Sequence, residues 1–185
     1  MAIVKPKNAT LKNGKELTLR SPKPEEAGAL LSHLKNVFHQ SYRNMNHSKN
    51  NWDNFPVEDE AKILTDFQSS NNKFMISVFD GERIVGNLGL FGTGGEFLKF
   101  NARIGMGLEQ DYQNIGLGTA LLTYAFENAS EIGIKRIELT VRTFNTSGIS
   151  LYEKVGFRRI GTLKEIAFID GEFCDEYMYE KLLKD

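Results

Sequence analysis

Between residues 136 and 142 the chain alternates. Ile137, Leu139 and Val141 are apolar and the positions between them polar, the period of a strand with one buried face. The same period marks Leu17 and Leu19 around Thr18. It also marks 101–108, where Ala102, Ile104, Met106 and Leu108 share one face. Gly105 and Gly107 fall on the other face, where bare backbone permits close approach of another element. Phe74 to Phe79 and Ile84 to Phe91 read as a strand pair with its turn at Asp80-Gly81, and Gly92 to Gly95 as a flexible turn. Elsewhere the spacing becomes helical. Ala27, Leu30, Leu31, Leu34 and Phe38 predict a helix from about Pro24 to Phe38. Ala61, Leu64 and Phe67 predict a second from Val57 to Ser69. A third runs from Gly116 to near Ile132, with Gly133 as its C-cap. A fourth is capped by Thr146 or Ser147, continues through Val155 and is ended by Gly156. Two more strands follow, joined by Ile169-Asp170-Gly171-Glu172.

The order β-α-α-β-β-β-α-β-α-β-β is a mixed α/β pattern: an antiparallel meander, a β-α-β crossover and a closing hairpin. Residues 1–16 are lysine-rich, carry a turn signal at Asn13-Gly14, and form an N-terminal extension or edge strand; 17–185 form a single domain. The segment 39–56 is polar and Asn-rich but carries Tyr42, Trp52 and Phe55. It is either a surface loop or a cover on the substrate side.

Charge narrows the partners. Twenty-three basic residues against 24 acidic give a formal net charge of −1, which gives no support for a nucleic-acid binder. No run approaches a transmembrane span, and Met-Ala-Ile-Val-Lys-Pro-Lys lacks a signal-peptide core. With a lone Cys174 there is no internal disulfide, so a cytoplasmic location is expected. His33, His39 and His47 make no HExxH or Cys/His ligand set, so no metal site is expected.

The stretch Gln113-Asn114-Ile115-Gly116-Leu117-Gly118-Thr119 follows a strand and opens a helix. A helix N-terminus presents free N–H groups and the positive end of the macrodipole, so it attracts a phosphate. The P-loop pattern is absent, and Leu121 stands where a dinucleotide fingerprint needs a third small residue. Alone, the stretch is a helix start with a glycine-eased turn. With Asn145, seven residues ahead of Tyr152, and Tyr-Glu-Lys-Val-Gly-Phe at 152–157, it resembles the GNAT superfamily of acetyl-CoA-dependent N-acetyltransferases. The tail from Gly161-Thr162 to Tyr177-Met178 resembles the branch acting on amino acids, peptide N-termini and small amines.

The resemblance covers the chain from about Leu17 onward and implies a central sheet, mixed but mostly antiparallel, of about seven strands flanked by helices, splayed open to form a cofactor cleft. It implies acetyl-CoA as co-substrate, a primary amine as acceptor, and leaves a homodimer open. The pyrophosphate suits the amides of Gln113, Asn114, Ile115, Gly116, Leu117, Gly118 and Thr119. The pantetheine amides suit the strand edge from Met106 to Glu109, where the Leu108 N–H would polarise the acetyl carbonyl. Asn145 would contact the pantetheine arm, and Tyr152 would lie beside the thioester and give a proton to the departing thiolate. Glu109, at the strand end, is the candidate base, and the resemblance leaves water as the alternative. The acceptor would enter between 39–56 and the turn at Asp170-Gly171, among Tyr42, Trp52, Phe55, Phe168, Phe173, Asp170, Glu172 and Asp175. A GNAT-fold module that senses a metabolite without turnover, or one using another acyl donor or an O-acyl acceptor, would share these features.

Overall fold

A computed structural model describes residues 3–183. In chain order the elements are β1 (Lys7–Thr10), β2 (Glu16–Arg20), α1 (Ala27–Ser41), α2 (Val57–Ser69), β3 (Lys73–Asp80), β4 (Arg83–Gly92), β5 (Asn101–Leu108), α3 (Leu117–Glu131), β6 (Arg136–Arg142), α4 (Thr146–Lys154), β7 (Arg158–Ile169) and β8 (Glu172–Leu182). The strands form one sheet in the order β1-β2-β3-β4-β5-β6-β8-β7. β1, which pairs antiparallel with β2, adds an eighth strand at one edge.

One junction shapes the molecule. All neighbours pair antiparallel except β5 and β6, whose parallel pairing covers only Asn101–Arg136, Ala102–Ile137 and Arg103–Glu138. Beyond it β5 stays on β4 as far as Leu108–Gly86, and β6 stays on β8 as far as Arg142–Glu176. Each strand is held by its own antiparallel partner, so the two halves of the sheet part like a wedge. The expected splay is therefore present.

Two apolar clusters hold the faces. The larger joins Phe74, Leu88, Ile104, Leu117, Leu121, Ile137 and Tyr179. The smaller packs Ala27, Leu30, Leu64 and Phe67 against Met75, Phe79 and Ile84. Leu121 has no exposed surface, so truncation to alanine there would cost about 2–5 kcal/mol. On the glycine face of β5 the expected close approach occurs at Gly107, where a Cβ would lie 2.9 Å from Val37 Cγ1 of α1, but not at Gly105, where a Cβ would meet nothing within 4 Å.

Local details differ from the sequence reading at several ends. Asn145, not Thr146 or Ser147, caps α4: its Oδ1 accepts the Gly148 N–H at 3.0 Å. Gly116 (φ 93°) is the cap of α3, which begins at Leu117. Pro24–Glu26 is a separate 3₁₀ turn before α1. The β3–β4 turn is Gly81-Glu82, because Asp80 still pairs with Arg83. The β7–β8 turn, by contrast, is Asp170-Gly171 as expected (φ 52° and 87°), the left-handed pair a two-residue type I′ hairpin requires.

Candidate functional site

The mouth of the wedge is a cleft of about 550 Å³ lined by β5, the loop before α3, α4 and part of 41–45. Of the residues expected at the cofactor, Met106, Leu108, Gln113, Asn114, Gly116, Gly118, Thr119, Asn145 and Tyr152 line it. Ile115 and Leu117 do not. Leu117 is wholly buried in the core, and Ile115 packs against that core.

The edge of β5 is open where β6 has departed. Glu109 N–H donates to Val85 O at 3.1 Å, on the β4 side. Backbone groups alternate along a strand, so the Leu108 N–H and C=O point away from β4, toward the cleft. Gln113 Nε2 donates to that Leu108 carbonyl at 3.0 Å, tying the loop to the strand. The Leu108 N–H is left to face the cleft.

The helix start supplies the other donors. The first helical bond is Ala120 N–H to Gly116 O at 3.1 Å, so the amides of Leu117, Gly118 and Thr119 have no intrahelical acceptor. A Cβ on Gly116 would meet only the Lys12 stem, at 3.7 Å. Gly118 is different. A Cβ there would lie 2.7 Å from Leu151 Cδ2, so this glycine serves the packing of α3 on α4 as well as access to the amides. A donor-lined cradle that a side chain would fill fits a pyrophosphate.

Asn145 and Tyr152 both reach the cleft from α4. Since Asn145 Oδ1 is used in the cap, only its Nδ2 donors remain for a ligand. The Tyr152 ring packs edge-on against Phe157, with centroids 5.8 Å apart. Burial pushes its phenol up to about 12, so it is a neutral donor at neutral pH.

Glu109 is not brought in with the others. It is only 2% exposed and lines neither this cleft nor its neighbour. Arg83 pairs with it, Asn36 Nδ2 donates to it at 3.1 Å and His33 Nδ1 lies 3.5 Å away. Burial pushes its carboxyl up, but the contacts from His33 and Asn36 and the Arg83 charge outweigh that and hold it below 4.5.

A second cavity of about 700 Å³ adjoins the first, and Met45 lines both. Residues 45–49 form one wall and Ile166 to Asp170 of the β7–β8 hairpin another, with Arg142 and Glu176 also lining it. Arg142 and Glu176 are a buried ion pair facing each other across β6 and β8. Arg142 Nη2 also donates to Met45 O at 3.2 Å and Asn46 Oδ1 at 3.3 Å, and Tyr42 OH to Asp170 Oδ2 at 2.9 Å. These bonds pin residues 45 and 46 to the end of β6 and Tyr42 to the hairpin. Of the aromatics and acids expected here, Tyr42, Phe168 and Asp170 line the cavity. Trp52 instead packs edge-on between Phe38 and Phe55. Asp175 accepts from Lys164 Nζ and the Glu165 N–H at a bulge in β7. Arg142, Glu176, Met45 and Lys12 were missed by the sequence reading. The one signal for Arg142 was a cation at the end of a strand, with nothing to say which acid it would meet.

The sequence matches the acetyltransferase (GNAT) family over residues 36–157, and the chain belongs to that family. Over 106 residues it is 31% identical to the L-amino acid N-acetyltransferase AaaT of Escherichia coli strain K12; the match covers 57% of this chain and 65% of that one. The structure superimposes on a GNAT-family acetyltransferase from Streptococcus pneumoniae with a TM-score of 0.84 and 27% identity, covering 91% of this chain and 99% of that one. YncA from Salmonella typhimurium, solved with its cofactor acetyl-CoA, gives a TM-score of 0.80 over 92% of this chain and 96% of that one. At 12% identity that is a likeness of fold alone.

Proposed function

We propose that this protein transfers the acetyl group of acetyl-CoA to a primary amine by direct aminolysis of the thioester. The observation that carries the reading is the wedge between β5 and β6, which gathers a free strand N–H, free helix-start amides and the Tyr152 phenol around one cleft. In this reading the amides of 117–119 receive the pyrophosphate, the Met106–Leu108 edge pairs with the pantetheine amides, and Asn145 Nδ2 adds a donor to that arm. The acceptor enters through the adjoining cavity and meets the thioester past Met45.

The amine nitrogen attacks the acetyl carbonyl carbon, the C–N bond forms, and the C–S bond breaks. The Leu108 N–H donates to the carbonyl oxygen as it gains charge. Tyr152 donates to the departing sulfur. An ordinary thiol titrates near ~8.5, well below a phenol at about 12, so Tyr152 keeps its proton at equilibrium and acts chiefly as a hydrogen-bond donor. Solvent supplies the final proton and water removes the one lost by the amine. Glu109, kept ionised by its buried partners, enters as a positioning residue at the end of β5.

Thiol release from acetyl-CoA over a panel of amino acids, short peptides and polyamines, with the acetylated product identified by mass, tests the proposal. CoA binding with no thiol release for any amine would favour a sensing module. Release to alcohols but not amines would favour O-acyl transfer.

A further inference from the structure

Among the described residues only two charged side chains line the cofactor cleft, and both are cations: Lys12 and Lys154. The loop from Gln113 to Thr119 itself contains no lysine or arginine. Lys12 arrives from far away in sequence, on the turn between β1 and β2. Its N–H donates to Ile115 O at 3.3 Å. Its side-chain stem crosses Gly116, with Cγ and Cε 3.7 and 3.9 Å from where a Cβ on that glycine would stand.

The rest of the hairpin holds this placement. Lys15 pairs with Asp80 at 2.5 Å and donates to Tyr112 OH at 3.1 Å, at the base of the same loop. Lys7 pairs with Glu127 of α3 at 2.6 Å. These two cations are thus taken up by anchoring. Lys12 has no acidic partner among the described residues. It lies instead at the positive end of α3, where a cation is unfavourable unless an anion joins them.

We propose that Lys12 binds a phosphate of CoA, which makes the amino-terminal hairpin a working part of the cofactor site and supplies the cation its phosphate loop lacks. The inference rests on the cleft's being the CoA site. Two phosphate sources are available on the ligand: the pyrophosphate, which the stem's path over Gly116 favours, and the 3′-phosphate.

The test is calorimetric titration of the full-length protein with CoA and with 3′-dephospho-CoA, in the parent, Lys12→Ala and Lys12→Arg forms. Lys12→Ala is expected to weaken CoA binding by about three- to tenfold, the range of a partly exposed charge-assisted contact. Lys12→Arg is expected to stay within about twofold of the parent. The melting temperature of ligand-free Lys12→Ala should not fall, because a cation is removed from a positive helix end; a purely structural lysine would lower it. An equal loss with both ligands assigns Lys12 to the pyrophosphate. A loss seen only with CoA assigns it to the 3′-phosphate. A folded Lys12→Ala protein that binds CoA as the parent does would overturn the inference while leaving acetyl transfer intact. A parent that binds CoA without turnover removes acetyl transfer and leaves Lys12 standing, whereas a parent that binds no CoA overturns both.

Discussion

Arg142 faces Glu176 directly across β6 and β8, and the pair is buried beneath the cavity assigned to the acceptor. The same guanidinium holds Met45 O and Asn46 Oδ1, so one cation fixes both a strand end and the segment that separates cavity from cleft. Removing one partner of a buried ion pair strands the other. Glu176→Ala should therefore cost about 3–5 kcal/mol in urea unfolding. Replacing both partners with apolar residues of similar volume should recover much of that stability. It should still raise KM for the amine, since the guanidinium bonds to residues 45 and 46 would be lost. An amine KM that stays at the parent value in the folded double variant would separate the pair from the acceptor.

Tyr152→Phe should lower kcat by about 10²-fold with little change in acetyl-CoA affinity, because only a transition-state donor is lost. The pH profile offers a second check. With the phenol at about 12, Tyr152 remains protonated throughout the working range. Activity should rise as the acceptor loses its proton, near ~7.7–8.0 for an α-amine or ~10.4 for a lysine-like one, with no fall due to Tyr152 below those values. A descending limb near neutrality that disappears in Tyr152→Phe would contradict this.

Asn145 can be split into its two duties. Asn145→Ala should lose the cap on Gly148 N–H, about 0.5–2 kcal/mol, and weaken CoA binding. Asn145→Asp keeps an acceptor for the cap but has no amide donors. It should restore stability and not affinity, as read by thermal melts beside titrations.

The two loop glycines should respond differently. Gly118→Ala drives a Cβ to 2.7 Å from Leu151 Cδ2, so it should lower the melting temperature before any ligand is considered. Gly116→Ala meets open space apart from the Lys12 stem but must adopt φ 93°, so it should be destabilised by backbone strain alone. Rescue of Gly118→Ala by Leu151→Ala, and no rescue of Gly116→Ala, would verify the difference.

Glu109 should make stability sensitive to acid. Its folded carboxyl titrates below the ordinary value of 4.5, so the stabilisation is fully present above that value and is lost as pH falls through the lower, folded value. Glu109→Gln should accordingly be less stable than the parent at pH 7, with the gap closing as pH falls below 4.5. An equal gap at both pH values in chemical denaturation would rule out ionisation as its source.

The periodicities of the chain were enough to place β5, β6 and α2 at their observed ends, because each buries one face against the core and the period of a half-buried element is written in its own residues. Gln113 to Thr119 and Asn145 to Tyr152 were legible for a related reason. A helix start with bare amides and a capped short helix are local structures, and their chemistry travels with their spacing. What pairing decides was not legible. Arg142 and Glu176 are 34 residues apart, and Lys12 and Ile115 are 103 apart. Nothing in either segment says which strand will lie opposite or which turn will fold over which loop. The same limit applies to Glu109, whose place at a strand end is visible while the burial that ties it to Arg83, Asn36 and His33 is not. The elements, their order and the donor-rich loop can be read along the chain, since they follow from local backbone preference and one-sided burial. The width of the wedge, the partner of each buried charge and the arrival of Lys12 at the phosphate loop emerge only on folding, because they depend on contacts between segments that packing brings together.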